Sequence, residues 1–231
     1  MGFFDKLQKQ VARKIAPSAI TKKVSTGVHH QVGKKKQGFK QGLKQNLRMG
    51  LRKFKTNLKA KVMNAAHTSD YKSFKKRWEV EGKDHVKTIL LYLIAALEYS
   101  RGNDAGDAMA TLVLPKPRLL RSPGSPSGYI CNPKGAGYML RHMRENPRVP
   151  PSFLGGGPDN DYAIDEKNLV LNIVEEGVSG REAVVVIQSA GKDFSTPCGL
   201  RMNSSGYWKI FKGYGSIATG VQKTEEEKWD F

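Results

Sequence analysis

The excess positive charge of this chain lies entirely in its first third, and this asymmetry limits how the chain can fold. Residues 1–80 hold 21 of the 39 lysines and arginines but only three acidic residues, which gives them the whole net charge of +18. Residues 81–231 hold 18 basic and 18 acidic residues and are neutral. Like charges at high density repel one another unless an acidic partner compensates them. The sequence therefore predicts a basic amphipathic helical arm over residues 1–80 and a neutral globular domain over residues 81–223.

The neutral part is long enough to form a hydrophobic core without covalent cross-links. A domain of about 150 residues buries roughly 68–70% of its unfolded surface. The chain has only two cysteines, Cys131 and Cys198, and no CxxC pair, so we expect neither a disulfide framework nor a cysteine-based zinc site. The most apolar run, residues 86–97, is shorter than the ~20 residues that span a bilayer. These features predict a cytoplasmic protein.

Residues 34–62 combine an apolar helical stripe with a dense row of basic residues. Apolar side chains recur every three or four residues and, at about 100° per residue, fall on one face of a helix. The stripe is the predicted docking surface and consists of Phe39, Leu43, Leu47, Leu51, Phe54 and Leu58, with Val62 as its continuation. The basic row is the predicted polyanion-binding site and consists of Lys34, Lys35, Lys36, Lys40, Lys44, Arg48, Arg52, Lys53, Lys55 and Lys59.

Three kinds of partner would neutralise such an arm. Nucleic acid would accept the basic side chains on its phosphates. An anionic membrane surface would take up both faces, and an acidic groove in a larger protein assembly would do the same. A solvated, disordered tail is the structural alternative, although such a tail has no use for a regular apolar stripe.

Nucleic acid is the favoured partner because basic residues continue to residue 77, interleaved with aromatic side chains that could stack on bases. The basic residues are Lys72, Lys75, Lys76 and Arg77, and the aromatic residues are Tyr71, Phe74 and Trp78. The alternative for the three aromatic side chains is packing against the domain.

The neutral part begins with helices. Apolar residues at helical spacing predict a buried helix over residues 83–101 and a second one over residues 104–114, with Asp104 as its N-cap. Nine of the eleven prolines lie within residues 115–158. That segment is therefore predicted to be mostly irregular, apart from one helix near residues 136–145.

From residue 169 onward the apolar period becomes two, which predicts strands. The four predicted strands are Leu169–Val174, Ala183–Ile187, Pro197–Met202 and Tyr207–Phe211, with the first turn at Glu176-Gly177. Helices followed by an antiparallel meander are typical of an α+β fold. We therefore expect helices packed on a four-stranded antiparallel sheet.

A segment ahead of the predicted sheet resembles a bacterial domain family of unknown function. The resemblance rests on the run PSFLGGGPDNDY from Pro151 to Tyr162 and on Leu200-Arg-Met and Gly206-Tyr-Trp-Lys-Ile further on. It covers about residues 84–223, and Asp159 stands where the family has Glu. It implies helices followed by an antiparallel sheet and supplies no catalytic residue. The order of the closing strands is also similar to the cone-shaped domains of the nuclear-transport-factor-2 type.

The acidic loop, residues 159–166, is the candidate for catalysis in this sequence. Its acids are Asp159, Asp161, Asp165 and Glu166, and two of them could act as an acid/base pair in a cleft. Its spacing excludes an EF-hand because Ile164 stands where the calcium loop needs Gly. Asx turns in a solvated loop are the structural alternative. The histidines lack zinc-ligand spacing, so no metal or other cofactor is expected.

The sequence thus favours a non-catalytic binding protein whose arm docks on a polyanion, most of all nucleic acid. Docking into a protein assembly or onto an anionic membrane is the alternative, and an enzyme that uses the acidic loop is the third hypothesis. Residues 224–231, TEEEKWDF, form an acidic aromatic tail. At low ionic strength this tail is predicted to attract the arm, and an ordinary polar C-terminus is the structural alternative.

Overall fold

The computed structural model describes residues 55–57 and 61–229 of the chain. Nearly all of them belong to a compact unit that begins at Thr56. Its helices are α1 (Tyr71–Glu81), α2 (His85–Ser100), α3 (Ala105–Val113), α4 (Ala136–Glu145), α5 (Val149–Ser152), α6 (Tyr214–Ile217) and α7 (Glu225–Trp229). Its strands are β1 (Lys55–Asn57), β2 (Lys61–Ala65), β3 (Leu119–Arg121), β4 (Tyr129–Cys131), β5 (Leu169–Ser179), β6 (Glu182–Gln188), β7 (Thr196–Met202) and β8 (Trp208–Lys212).

Helix α2 is the centre of the hydrophobic core. Every side chain from Ile89 to Leu97 is at most 1% exposed. The helix begins at the N-cap Asp84, whose carboxylate accepts hydrogen bonds of 2.8 Å from the backbone N–H groups of Val86 and Lys87, which otherwise lack partners. It packs against α1, α3, α4 and α5 and against β6 and β8. The predicted buried helix is confirmed.

Six strands form one sheet in the order β1-β5-β6-β7-β8, and β2 also pairs with β5. The pairs of β2 with β5 and of β5, β6, β7 and β8 in succession are antiparallel. Side chains of alternate residues, such as Leu169, Leu171 and Ile173 in β5, enter the core. The α+β class is confirmed. The predicted sheet of four strands is incomplete, because β1 and β2 also belong to it.

The predicted helix over residues 34–62 is wrong at its described end, because residues 55–57 and 61–65 are strands. In β2 the apolar period is two. Met63 and Ala65 pack against the core, whereas Val62, which the helical stripe would have included, is 59% exposed. The tertiary pairing of β2 with β5 thus overrides the helical spacing of the sequence.

Helix α1 also packs with the globular domain, although the sequence places residues up to 80 in the arm. Its N-cap Asp70 accepts a hydrogen bond of 2.8 Å from the backbone N–H of Ser73. Phe74 is fully buried, and Tyr71 and Trp78 pack partly buried against the same core. The division at residue 80 therefore differs from the structure, in which residues 61–81 contribute a strand and a helix to the domain.

Strand β5 runs past the predicted turn at Glu176-Gly177, and the chain turns instead between Ser179 and Glu182. A bulge between Ile173 and Glu175 shifts the register of β5. Glu176 lies beside His85 of α2, with 3.5 Å between Oε2 and Nε2. The predicted turn at Glu176-Gly177 is therefore wrong, because Glu176 lies inside β5 and contacts His85 of the neighbouring helix.

The proline-rich segment is more ordered than predicted. It contains the antiparallel β3–β4 hairpin and the short α5, in addition to the predicted helix α4, which is confirmed. Asp104 is the N-cap residue of α3 as predicted, but its side chain forms no capping hydrogen bond. The side-chain oxygen of Asn103 accepts from the backbone N–H of Ala105 at 3.1 Å, and Asp104 pairs instead with Arg144 at 2.7 Å.

The glycine-rich run that resembles a known family forms a tight loop ahead of β5. The backbone N–H of Tyr162 donates to the carbonyl oxygen of Gly157 at 2.8 Å. The buried Tyr162 hydroxyl donates to the carbonyl oxygen of Gln222 at 2.6 Å. Gly156 lies so close to Tyr162 that an added Cβ would stand 2.6 Å from its carbonyl oxygen. This run therefore holds the loop to the C-terminal segment.

Replacing Gly156 with Ala is expected to destabilise the protein by about 1–3 kcal/mol, because the new methyl group overlaps the Tyr162 backbone. Urea unfolding monitored by tryptophan fluorescence measures this change. Gly220→Ala is the matched control, since nothing lies within 4 Å of a Cβ there. Equal unfolding midpoints for the two variants would contradict the close packing of the loop.

Candidate polyanion-binding surface

The structure describes one of the ten residues that the sequence assigns to the polyanion-binding site. Lys55 is the first residue of β1. The other predicted basic residues, from Lys34 to Lys59, and the whole docking stripe, from Phe39 to Leu58, lie outside the described residues. The described part of the candidate surface is helix α1, which follows directly in the sequence.

The aromatic side chains of α1 serve the fold. Phe74 is fully buried, and the Trp78 ring stacks on Tyr207 with 4.3 Å between ring centroids and an interplanar angle of 19°. Tyr71 packs partly buried against the core. The hypothesis that all three stack on bases is wrong for Phe74, and the alternative of packing against the domain is confirmed.

The opposite side of α1 is a basic stripe. Lys72, Lys75 and Lys76 are exposed, and in the described part of the chain none of them forms an ion pair with a carboxylate. Lys83, also exposed, follows two residues after the end of α1 and lies 5.9 Å from the centroid of the Tyr207 ring. At 1.5 Å per residue, Lys72 and Lys76 are about 6 Å apart along the axis of α1. We call these four residues the α1 lysine stripe.

Arg77 differs from its basic neighbours because the fold uses its guanidinium group. Nε lies 2.8 Å from the carboxylate of Glu81. Nη1 donates to the carbonyl oxygen of Ala66 at 2.5 Å and to the hydroxyl of Thr68 at 3.2 Å. Arg77 thus joins α1 to the segment that follows β2, and it does not belong to the α1 lysine stripe.

Three clefts of about 540, 390 and 500 Å³ are lined by described residues. In the first, Asp107 accepts from the backbone N–H of Cys131 at 3.2 Å, and burial raises the pKa of this carboxyl. The second is lined by Arg77 and Glu81, which pair with each other. The polar groups of these two clefts are therefore largely engaged by the protein itself.

The third cleft contains a lysine that sequence reasoning missed. Lys209 of β8 donates from Nζ to the carbonyl oxygen of Leu112, near the end of α3. Nζ also lies 4.8 Å from the centroid of the Trp78 ring. Desolvation by burial lowers the pKa of Lys209 to about 8. The available signal was a single lysine between the buried Trp208 and Ile210 of a strand.

Three acidic side chains of the predicted catalytic loop have separate partners. Asp161 lies 3.3 Å from Arg148, and Glu166 lies 2.8 Å from Arg101. Asp165 accepts from the backbone N–H of Lys167 at 2.9 Å in an Asx turn. No group of three or more acidic, His or Cys side chains within the described ranges has the arrangement of a metal site.

The acidic tail is attached to the domain through Glu227. Its carboxylate lies 2.6 Å from Nη1 of Arg148 and accepts from the backbone N–H of Thr224 at 3.1 Å. The predicted attraction of this tail to the arm involves residues outside the described ranges. One of the tail's acids is, however, already neutralised by the domain.

Residues 66–225 match the family described as a domain of unknown function, DUF6935. The match covers more than half of the chain, and the protein belongs to this family of uncharacterised domains. The matched region begins just before α1, so the α1 lysine stripe is part of it. No curated protein and no solved structure is significantly similar to the chain. Among the described helices, none is both long and apolar enough to cross a membrane.

The ion pair of Glu227 with Arg148 is expected to make the attachment of the tail sensitive to acid. The hydrogen bond from Arg148 holds the pKa of Glu227 at about 2, below its ordinary value of 4.5. A pKa that is depressed by folding adds stability above the ordinary value, and this stability disappears as the pH falls through the folded value. The attachment should therefore weaken between about pH 4.5 and pH 2.

Glu227→Gln should weaken the same attachment at neutral pH, because the amide carries no charge to pair with Arg148. The rate of carboxypeptidase digestion of the C-terminus measures the effect, and digestion should be faster in this variant. Glu226→Gln is the control, since Glu226 is exposed and lies next to the pair. Equal digestion rates for the two variants would show that the ion pair does not hold the tail.

Proposed function

We propose that this protein is a non-catalytic binding protein that docks on a polyanion, nucleic acid before any other. Its basic N-terminal segment would supply most of the charge, and the α1 lysine stripe would supply a surface of fixed geometry. The supporting observation is that three exposed lysines lie side by side on a helix whose other side is buried in the core. A cytoplasmic location is part of the same proposal.

The charge distribution favours a polymer over a small ligand for this surface. Residues 1–55 hold 15 basic residues and one acidic residue, and residues 56–80 add six basic and two acidic residues. A protein that neutralises several phosphates releases their counterions, and this release dominates the affinity for nucleic acid. The stripe is contiguous in sequence with the most basic part of the chain, so one strand of phosphates could contact both.

The ion pairs of the acidic loop support a binding role for this protein rather than a catalytic one. An acid/base pair needs two carboxyl groups that face one reacting centre. Here Asp161 and Glu166 pair with different arginines, Arg148 and Arg101. These separate ion pairs favour a binding role over the third hypothesis, an enzyme built on this loop.

The triple variant Lys72→Gln, Lys75→Gln and Lys76→Gln in the full chain is expected to weaken binding to DNA. If all three lysines contact phosphates, the slope of log K against log salt concentration should become less steep by about 2–3, since each contact contributes about 0.9. Fluorescence anisotropy with a labelled oligonucleotide at several salt concentrations measures both affinity and slope.

The control for this experiment changes the same number of charges elsewhere on the domain. Lys134, Lys167 and Lys223 are exposed and lie far from α1 in sequence, and their replacement by Gln should leave the slope nearly unchanged. Equal losses in the two triple variants would show that only net charge matters. That result would remove the α1 lysine stripe from the proposed surface.

The alternative partner, an anionic membrane or an acidic protein groove, depends on the apolar stripe and not only on charge. Replacing Leu43, Leu47 and Leu51 with Gln keeps every charge and removes apolar surface that is worth roughly 1.5–3 kcal/mol for each buried Leu. Under the proposal, DNA affinity should stay nearly the same while sedimentation with phosphatidylserine vesicles falls. If the wild type bound vesicles more tightly than DNA and lost only that binding, the membrane would become the preferred partner.

A further inference from the structure

The cleft of about 500 Å³ lies where three loops meet beside the end of α3. Its walls come from the C-terminal residues of α3 and the following turn, from the β3–β4 hairpin, and from the turn between β7 and β8. Cavities of about 300–1,000 Å³ are the usual size for small-molecule sites. The cleft is therefore large enough for a ligand of nucleotide size.

The charge of this cleft is one-sided. Lys116 and Lys209 both line it, and the described lining residues include neither Asp nor Glu. Lys116 is exposed at the rim, whereas Lys209 is half-buried. A partly buried cation without an anionic partner is costly for a fold, and strongly perturbed lysines in clefts are candidates for functional groups.

The hydrogen bonds of Lys209 leave capacity for a ligand. An ammonium group has three donors, and within the described residues one of them goes to the carbonyl oxygen of Leu112. The contact with the Trp78 ring, at 4.8 Å, is a cation–π interaction that neutralises no charge. An anion in the cleft would both take the remaining donors and compensate the charge.

The rest of the lining fits a phosphate ester better than a bare ion. The hydroxyls of Ser204 and Ser205 lie in the turn between β7 and β8, whose shape is held by Asn203 accepting from the backbone N–H groups of residues 205 and 207. Tyr129 and Leu112 provide aromatic and aliphatic surface on the other walls. Polar donors and apolar surface in one cleft suit a molecule that has a phosphate and a flat, less polar part.

We propose that this cleft binds a small phosphate ester of nucleotide size, with the ammonium group of Lys209 as the contact to the phosphate. Lys116 and the hydroxyls of Ser204 and Ser205 provide further donors, and Tyr129 faces the less polar part of the ligand. This site is separate from the α1 lysine stripe and does not depend on the proposed binding of a polymer.

Trace acetylation of the full-length protein, followed by mass spectrometry, tests the site residue by residue. An amine with a pKa of about 8 is unprotonated to a greater extent near neutral pH than ordinary lysines, so Lys209 should be labelled readily. Adenosine monophosphate is the probe, adenosine lacks the phosphate, and inorganic phosphate lacks the nucleoside. At ten times its Kd the nucleotide should reduce labelling of Lys209 about tenfold, whereas adenosine should not.

The result with inorganic phosphate separates a phosphate ester from a bare anion. Protection of Lys209 by phosphate that is as strong as by the nucleotide, at equal concentration, would overturn the assignment of an ester. Unchanged labelling of Lys209 with every probe would show that the lysine only caps α3. Uniform protection of all lysines, Lys167 included, would show non-specific screening and would also overturn the proposal.

Variants supply a second test that also distinguishes this site from the polymer surface. Lys209→Met keeps an unbranched side chain without the charge and should abolish nucleotide binding in calorimetry. Lys83→Met, at the α1 lysine stripe, should weaken only DNA binding. If Lys209→Met fails to fold, the exposed pair Ser204→Ala and Ser205→Ala replaces it and should reduce nucleotide affinity severalfold. Nucleotide binding that is equal to wild type in the variant tested would exclude the cleft.

Discussion

A helix that is buried on every side obliges the rest of the chain to surround it, and most of this fold follows from that requirement. Helix α2 satisfies its own backbone, but its side chains need partners in all directions. Glu98 is the most demanding of them because it carries a carboxylate and is only 4% exposed. It lies 2.9 Å from Nε2 of His67 and accepts from the side-chain amide of Asn103 at 2.6 Å. One buried carboxylate thus ties the segment before α1 to the turn between α2 and α3.

This enclosure also determines which charges reach the solvent. Because α1 is one of the elements that cover α2, its inner side is occupied by Phe74 and the half-buried Trp78. The three lysines of α1 must then lie on the outer side. Trp78 also connects α1 to β8. Its ring stacks on Tyr207 and contacts the ammonium group of Lys209. The packing of α1 against the core therefore determines the positions of both the α1 lysine stripe and Lys209.

The sequence predicts those parts of the fold in which one local pattern is sufficient. The apolar run at residues 86–97 yields α2, and the period of two from Leu169 yields strands β5 to β8. The sequence-based prediction fails where a segment distant in the chain determines the structure. In β2, Met63 and Ala65 face the core because the strand pairs with β5. The cleft could not be predicted, because Lys209 and Leu112 are 97 residues apart and only tertiary structure brings them together.

Basic side chains that have partners within the domain differ from those that are available to another molecule. Arg77, Arg148 and the buried Lys192 are all engaged, the last by the carbonyl oxygens of Ser216 and Ile217 at 3.2 and 2.9 Å. Such cations contribute to folding and leave little for a partner. The neutral part of the chain has 18 charges of each sign and can form ion pairs within itself for most of them. The first 80 residues cannot, because they have only three acidic residues. An excess of this kind destabilises the isolated protein through self-repulsion, so it is consistent with a chain whose compensating charge comes from another molecule.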